Sequence, residues 1–167
     1  MVQNATAATW FLIGAFPICL WVAWSDLRGM RIPNKAVVAL FAVFAVTGLF
    51  TLPFDIYLWR YSHLAVVLAV GFLLNMGGLM GAGDAKFLAA AAPMVAYRDF
   101  PEMVVILSVT LFAGFIAHRI ARATPLRRLA PEWQSWSTGQ RFPMGYPLAG
   151  ALVAYLVFCI WKDLTSI

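Results

Sequence analysis

Charged residues, cysteines and histidines are all scarce in this chain. Only 11% of the 167 residues are charged, and the chain holds two cysteines and two histidines. A soluble domain is about a quarter charged, so the composition excludes an ordinary water-soluble globular protein. Cys19 and Cys159 have no Cys-x-x-Cys spacing, which argues against a disulfide framework and a cysteine-based zinc site. No metal ion and no cofactor is predicted.

Apolar residues dominate what remains. They make up 63% of the chain and fall into runs of up to twenty residues, a length that matches the hydrocarbon thickness of a bilayer. We predict an all-α polytopic membrane protein that forms one integral-membrane domain over residues 1–167. Six transmembrane helices are expected, with a short fourth one. The predicted spans are 10–24, 36–52, 63–80, 85–97, 102–118 and 143–161.

Basic residues decide the predicted orientation. The net charge is +5, and nine of the twelve Lys and Arg residues follow spans one, three and five. Loops rich in Lys and Arg stay in the cytoplasm, so we expect both termini on the outer side of the membrane. The same distribution argues against nucleic-acid binding. No cleavable signal peptide is expected, because the first residues lack a basic region.

Two acidic residues stand at the ends of apolar runs on the predicted cytoplasmic side. Asp26 follows span one, and Asp84 lies in the stretch Gly81-Ala82-Gly83-Asp84-Ala85-Lys86. Ionisable groups at membrane depth are costly and are candidates for function. Each acid also has a structural interpretation. Asp84 is suited to cap the fourth helix, and Asp26 is suited to pair with Arg28 or Arg31 at the interface.

Two carboxyl groups in one site cannot both ionise cheaply, so such a pair holds a proton near neutral pH. The ionised acid then activates a water molecule while the protonated acid polarises a carbonyl group. Helix dipoles predict that Asp84, at a helix start, is the ionised member and that Asp26, at a helix end, keeps the proton.

Supporting positions follow from the surrounding sequence. Pro33-Asn34 predicts the start of the second helix with Asn34 as its N-cap. Lys86 is expected to reach the interface and not to transfer protons. Asp99 is expected to be solvated on the outer face. A final set of small residues fits either a substrate groove or close helix packing: Gly145, Ala149 and Gly150.

Three motifs together resemble a known family. The run Gly81-Ala82-Gly83-Asp84-Ala85-Lys86-Phe87 resembles the Gly-x-Gly-Asp-x-Lys motif of type IV prepilin peptidases, the GxGD aspartic proteases. Asp26, Arg28, Arg31 and Ile32-Pro33-Asn34 resemble that family's first-aspartate segment. Phe142-Pro143-Met144-Gly145-Tyr146-Pro147-Leu148-Ala149-Gly150 resembles its third motif, at the start of the last span.

The resemblance implies that Asp26 and Asp84 are the catalytic pair, with Gly81, Gly83, Lys86, Pro33 and Asn34 as motif residues. It implies a prepilin or pseudopilin substrate, with a basic leader and a hydrophobic helix, cleaved at the cytoplasmic face. The chain is similar to the short CpaA- or TadV-like enzymes of Flp (Tad) tight-adherence pilus systems. It lacks the cysteine-bearing loop of the long form, so the resemblance does not extend to N-methylation.

Two other classes of function remain open from the residues alone. Intramembrane acids also serve proton relays, so a small proton-coupled transporter is one alternative. A non-catalytic subunit of a pilus-assembly complex is the other. A transporter would place the two aspartates in separate paths, whereas an assembly subunit would tolerate the loss of either.

Overall fold

The computed structural model describes residues 3–139 and 141–165, and within them the regular structure is entirely helical. Six α-helices follow one another in this part of the chain: α1 Ala5–Gly29, α2 Asn34–Thr51, α3 Phe54–Met76, α4 Ala82–Ala91, α5 Phe100–Ala123 and α6 Gly145–Thr165. Short 3-10 turns lie at Ala92–Met94, Tyr97–Asp99, Pro125–Leu129 and Gln134–Trp136.

Five of these helices, all except α4, are long and apolar enough to cross a membrane. With 25 residues, α1 is about 37 Å long, whereas the ten residues of α4 cover about 15 Å. The outward faces of the long helices carry large apolar side chains, such as Leu20, Val66 and Phe112. Such a surface suits lipid and not water. The predicted all-α polytopic membrane fold with a short fourth helix is confirmed.

The third helix begins earlier than predicted. We expected a loop over residues 53–61, but α3 starts at Phe54 and already buries Tyr57 and Arg60 in its second turn. Pro53 precedes the first turn and Asp55 lies within it, where the dipole favours an acid. The aromatic ring of Tyr57 stacks on Phe44 of α2 at 5.5 Å. The favourable helix start at Pro53 and Asp55 and the packing of Tyr57 on Phe44 therefore make this polar stretch helical.

The core lies mainly between α1 and α6. One face of α1 buries Phe11, Ala15, Cys19 and Val22, which recur every three or four residues as a helix face requires. The facing stripe of α6 is also buried: Leu148, Leu152, Tyr155, Leu156 and Cys159. The last turn of α1 and the first turn of α6 thus lie side by side.

The fourth segment is shorter and less regular than predicted. We expected a helix over residues 85–97, but α4 ends at Ala91 and two 3-10 turns follow. Pro93 lies in the first of these turns, and a proline lacks the N–H group that a continuing α-helix needs. Half of the α4 residues are buried, Phe87 among them. Irregular backbone at membrane depth requires such protein cover.

A buried polar network joins the far end of this segment to the rest of the bundle. The Arg60 guanidinium donates to Pro93 O at 3.1 Å and to Gln3 Oε1 at 2.7 Å. Asp99 Oδ2 accepts from Gln3 N and from the Tyr155 hydroxyl, both at 3.0 Å. The prediction that Asp99 is solvated is wrong, because only 1% of the residue is exposed. Its partners come from distant parts of the chain, which spacing in the sequence does not reveal.

This network predicts a large stability difference between two arginines. Replacing buried Arg60 by glutamine removes two charge-assisted hydrogen bonds, for a cost of roughly 3 kcal/mol. The same change at Arg98, which is exposed, should cost little. Thermal unfolding in detergent measures both variants. Equal melting temperatures for Arg60→Gln and Arg98→Gln would contradict a structural role for the network.

Candidate active site

Asp26 is buried at the end of α1. It continues the buried face of Cys19 and Val22, and only 5% of the residue is exposed. Its Oδ2 atom accepts a hydrogen bond from the backbone N–H of Gly145 at 2.6 Å. The helix ends directly after it, with Met30 in the left-handed conformation (φ 52°) and its N–H bonded to Asp26 O at 2.8 Å.

Gly145 is the first residue of α6, so the Asp26 carboxyl group faces the start of a helix. A Cβ atom at Gly145 would lie 3.0 Å from both Cγ and Oδ2 of Asp26, which explains why glycine is needed there. The backbone N–H of Tyr146 also bonds to the carboxyl group. The Tyr146 hydroxyl in turn donates to Gly114 O and ties this end of α6 to α5.

Asp84 lies in the first turn of α4 and not at its cap. The N-cap is Gly81, so the interpretation of Asp84 as an N-cap residue is wrong. As the third helical residue, Asp84 turns its carboxyl group back toward the backbone N–H of Gly81. This is the return half of a capping box, in which an acid at the third position satisfies the cap residue's N–H.

Ile32 connects the two acidic segments. Its Cδ1 atom would be 3.0 Å from a Cβ atom at Gly145, and its Cβ atom 3.4 Å from one at Gly83. Gly145 holds Asp26, and Gly83 directly precedes Asp84. One isoleucine side chain therefore touches both of the segments that carry the carboxyl groups.

Electrostatics also links the two acids. Asp84 lies outside the five long helices. Burial, and then the negative charge of Asp26, raise the pKa of Asp84 to about 6. The N–H groups at the start of α6 surround Asp26 and stabilise an anion there. The helix ends alone predict no such stabilisation of a charge on Asp26.

This stabilisation of Asp26 could not be predicted from its place in α1. The sequence shows that Asp26 ends α1, and the dipole of that helix disfavours an anion. It does not show that the start of a different helix, 119 residues later in the chain, donates hydrogen bonds to the same carboxyl group.

The remaining motif residues lie close by. Lys86 Nζ donates to Asn34 Oδ1 at 3.4 Å, between α4 and the start of α2. The predicted start of α2 is confirmed, but its cap is Pro33 and not Asn34. Asn34 therefore offers its side chain to Lys86 and not to the first turn of its own helix.

The three small residues of α6 do not share one surface. Gly145 and Ala149 are buried, whereas Gly150 is exposed, and a Cβ atom added there would meet no other atom within 4 Å. Gly145 and Ala149 thus serve helix packing in this conformation, and only Gly150 lies on an open face. Among the described residues, no three His, Cys, Asp or Glu side chains come together as a metal site would require.

A comparison with protein families now bears on this geometry. The family described as the type IV leader peptidase family matches residues 13–119. The match covers more than half of the chain and includes both Asp26 and Asp84. The chain belongs to the type IV leader peptidase family. No curated protein and no solved structure matches it.

The family match ends before α6 begins. The Gly145 and Tyr146 amides that meet Asp26 therefore come from outside the matched residues of this leader peptidase. Sequence reasoning missed the contact role of Ile32, although Ile32 belongs to the Ile-Pro-Asn segment. It also missed the amides of α6, because backbone groups leave no trace in the residue types.

Two alanine substitutions on α6 should change stability in opposite directions. Gly145→Ala forces a methyl group against Asp26 and Ile32, and overpacking of this kind costs about 1–3 kcal/mol. Gly150→Ala meets open space inside a helix, where alanine is better than glycine by roughly 0.5–1 kcal/mol. Melting temperatures of the two variants against the unmodified protein test this. A Gly145→Ala variant as stable as Gly150→Ala would contradict the described contact.

Carbodiimides label protonated carboxyl groups. The reaction of Asp84 with a carbodiimide should therefore show how the charge of Asp26 affects the pKa of Asp84. Labelling should be complete at low pH and fall as pH rises through about 6, the raised pKa of Asp84. Asp26→Asn removes a nearby negative charge, so the pKa of Asp84 falls and the labelling midpoint moves to lower pH. Mass spectrometry of the peptide that contains Asp84 measures the labelled fraction at each pH.

Asp55→Asn is the matched control, because Asp55 is exposed in the first turn of α3. It should leave the labelling midpoint of Asp84 in place. A midpoint that is the same in all three proteins would mean that Asp26 and Asp84 do not interact.

Proposed function

We propose that this protein is a membrane aspartic endopeptidase that removes the leader peptides of prepilin-like proteins, with Asp26 and Asp84 as its catalytic pair. Three linked observations support the proposal. Asp26 is bound to the amide of Gly145, Ile32 bridges Gly145 and Gly83, and the charge of Asp26 raises the pKa of Asp84. These contacts support a single site that the two carboxyl groups share.

The carboxyl groups take different roles in the proposed reaction. The Asp26 carboxylate accepts a proton from a water molecule, whose oxygen attacks the scissile carbonyl carbon. Protonated Asp84 donates its proton to the carbonyl oxygen as the tetrahedral intermediate forms. On collapse, Asp84 recovers that proton and Asp26 passes its own to the departing amine. The peptide bond is replaced by a carboxyl group and an amine, and both acids return to their starting states.

The surrounding contacts suit these roles. Amide hydrogen bonds at the start of α6 keep Asp26 ionised and oriented. Asp84 is half-buried, and a desolvated carboxyl group near a like charge retains its proton. The Lys86–Asn34 contact holds the starts of α4 and α2 together, which keeps the Asp84 turn near Ile32. Gly81 leaves room for the Asp84 carboxyl group, and Gly83 lets Ile32 pack close to the same turn.

The proposed substrate and orientation follow from the charge distribution and the family. Nine of the twelve basic residues lie on the side of the two aspartates, so this side faces the cytoplasm and both termini face outward. A type IV leader peptidase in the inner membrane meets prepilins there, with a basic leader preceding a hydrophobic helix. We assign this chain to Flp-type prepilins, on the short-form resemblance of its motifs.

Co-expression with a Flp-type prepilin tests the proposal. Asp26→Asn and Asp84→Asn should each reduce processing roughly a thousandfold, since each removes one half of the acid–base pair, whose single proton transfers contribute about 10²–10⁴-fold. Asp55→Asn, an exposed aspartate on another helix, is the matched control and should process normally. Product mass on intact prepilin measures the cleavage.

The alternatives predict different results. Full processing by both variants would remove the protease assignment and favour a non-catalytic assembly subunit. Absent cleavage by the unmodified protein, together with a proton flux in liposomes that Asp26→Asn and Asp84→Asn abolish, would favour the transporter.

A further inference from the structure

A cleft of about 620 Å³ opens beside the last two turns of α1, on the side of the molecule that carries Asp26. Helix α1 and the turn after it contribute most of its lining, and the loop between α5 and α6 contributes the rest. The residues used in the argument are Trp21, Trp24, Ser25, Arg28, Arg31 and Glu132. The loop is held in place where Trp133 packs edge-on against Trp24 at 5.4 Å.

This cleft is separate from the candidate active site. Trp21, Trp24 and Arg28 recur at intervals of three and four residues and so share one face of α1. Asp26 belongs to the opposite, buried face, with Cys19 and Val22, because each residue turns the helix by about 100°. The Asp26 carboxyl group points to Gly145 and not into the cleft.

The lining has the chemistry of a site for an anionic amphiphile. Arg28 and Arg31 lie at the polar end of the cleft, and Glu132 is the one acidic residue among the described residues that line it. Trp24 and Trp21 are 55% and 42% exposed, and they lie one and two turns before Arg28, toward the apolar body of α1. Exposed tryptophans mark the level of lipid headgroups, and arginine forks match phosphate oxygens.

We propose that this cleft binds an anionic phospholipid, with the phosphate group between Arg28 and Arg31 and an acyl chain along Trp21 and Trp24. The inference does not depend on the proposed protease function. It is favoured over a peptide ligand because the guanidinium and indole groups lie in the order in which a phospholipid presents its phosphate and its chain.

The occupied cleft would stabilise the turn that carries the active-site residues. Ser25 Oγ donates to Arg31 O at 2.9 Å, and this bond closes the turn around Met30. Ile32, which touches both aspartate segments, directly follows Arg31. A phosphate that holds Arg28 and Arg31 together therefore stabilises the same backbone, so the lipid should raise the melting temperature of the protein.

Native mass spectrometry of the purified protein, titrated with phosphatidylglycerol or phosphatidylcholine, tests this site. The unmodified protein should bind one phosphatidylglycerol in preference to phosphatidylcholine. Arg28→Gln/Arg31→Gln should weaken this binding roughly thirtyfold, since each arginine near a lipid surface contributes about 1 kcal/mol. Arg127→Gln/Arg128→Gln removes the same charge from two exposed residues of the loop that do not line the cleft, and should leave the binding unchanged.

Melting temperature provides a second measurement on the unmodified protein alone. Phosphatidylglycerol should raise the melting temperature, and the rise should saturate at one lipid per protein. Glycerol 3-phosphate, which lacks acyl chains, should not raise it.

Equal weakening of phosphatidylglycerol binding in both double variants would indicate general attraction to charge and overturn the site. Equal effects of glycerol 3-phosphate and lipid would overturn the phospholipid assignment. Unchanged lipid binding in Arg28→Gln/Arg31→Gln, with a raised KM for prepilin, would assign the cleft to the substrate instead.

Discussion

The hydrogen bond from the Gly145 amide to the Asp26 carboxyl group is the contact on which this architecture depends. It joins the end of the first helix to the start of the last, 119 residues apart in the chain. The contact requires a residue without a side chain at position 145. It also places a buried acid, costly in an apolar interior, where unpaired helix N–H groups can stabilise its charge.

Two sets of contacts hold the two ends of the helical bundle together. At one end, Asp26 meets α6 and Ile32 reaches across to Gly83. At the other end, Arg60, Asp99 and Tyr155 join α3, the 3-10 turn before α5, and α6. The irregular segment from α4 onward runs between these two ends. The far network therefore fixes one end of the segment whose other end carries Asp84, which connects global stability to the geometry of the carboxyl pair.

The loop between α5 and α6 belongs to this arrangement as well. It packs on the end of α1 through Trp24 and Trp133, and Trp136 stacks on the buried ring of His118. The loop thus covers one side of the turn that leads from Asp26 to Ile32. The cleft of about 620 Å³ beside this turn is lined by Arg28 and Arg31. The proposed catalytic pair and the proposed lipid site therefore share one short stretch of backbone.

Composition and apolar runs by themselves determined the fold class, because a bilayer imposes helices of a certain length and composition. Motifs in the sequence also singled out Asp26 and Asp84 as candidates. Local signals failed where contact partners are distant in the sequence: Asp99 was expected in water, and no signal indicated that the amides of α6 bind Asp26. Only the tertiary structure decided these points, because the charge state of a carboxyl group depends on the hydrogen-bond donors around it, and those of Asp26 belong to a helix that the sequence places at the other end of the chain.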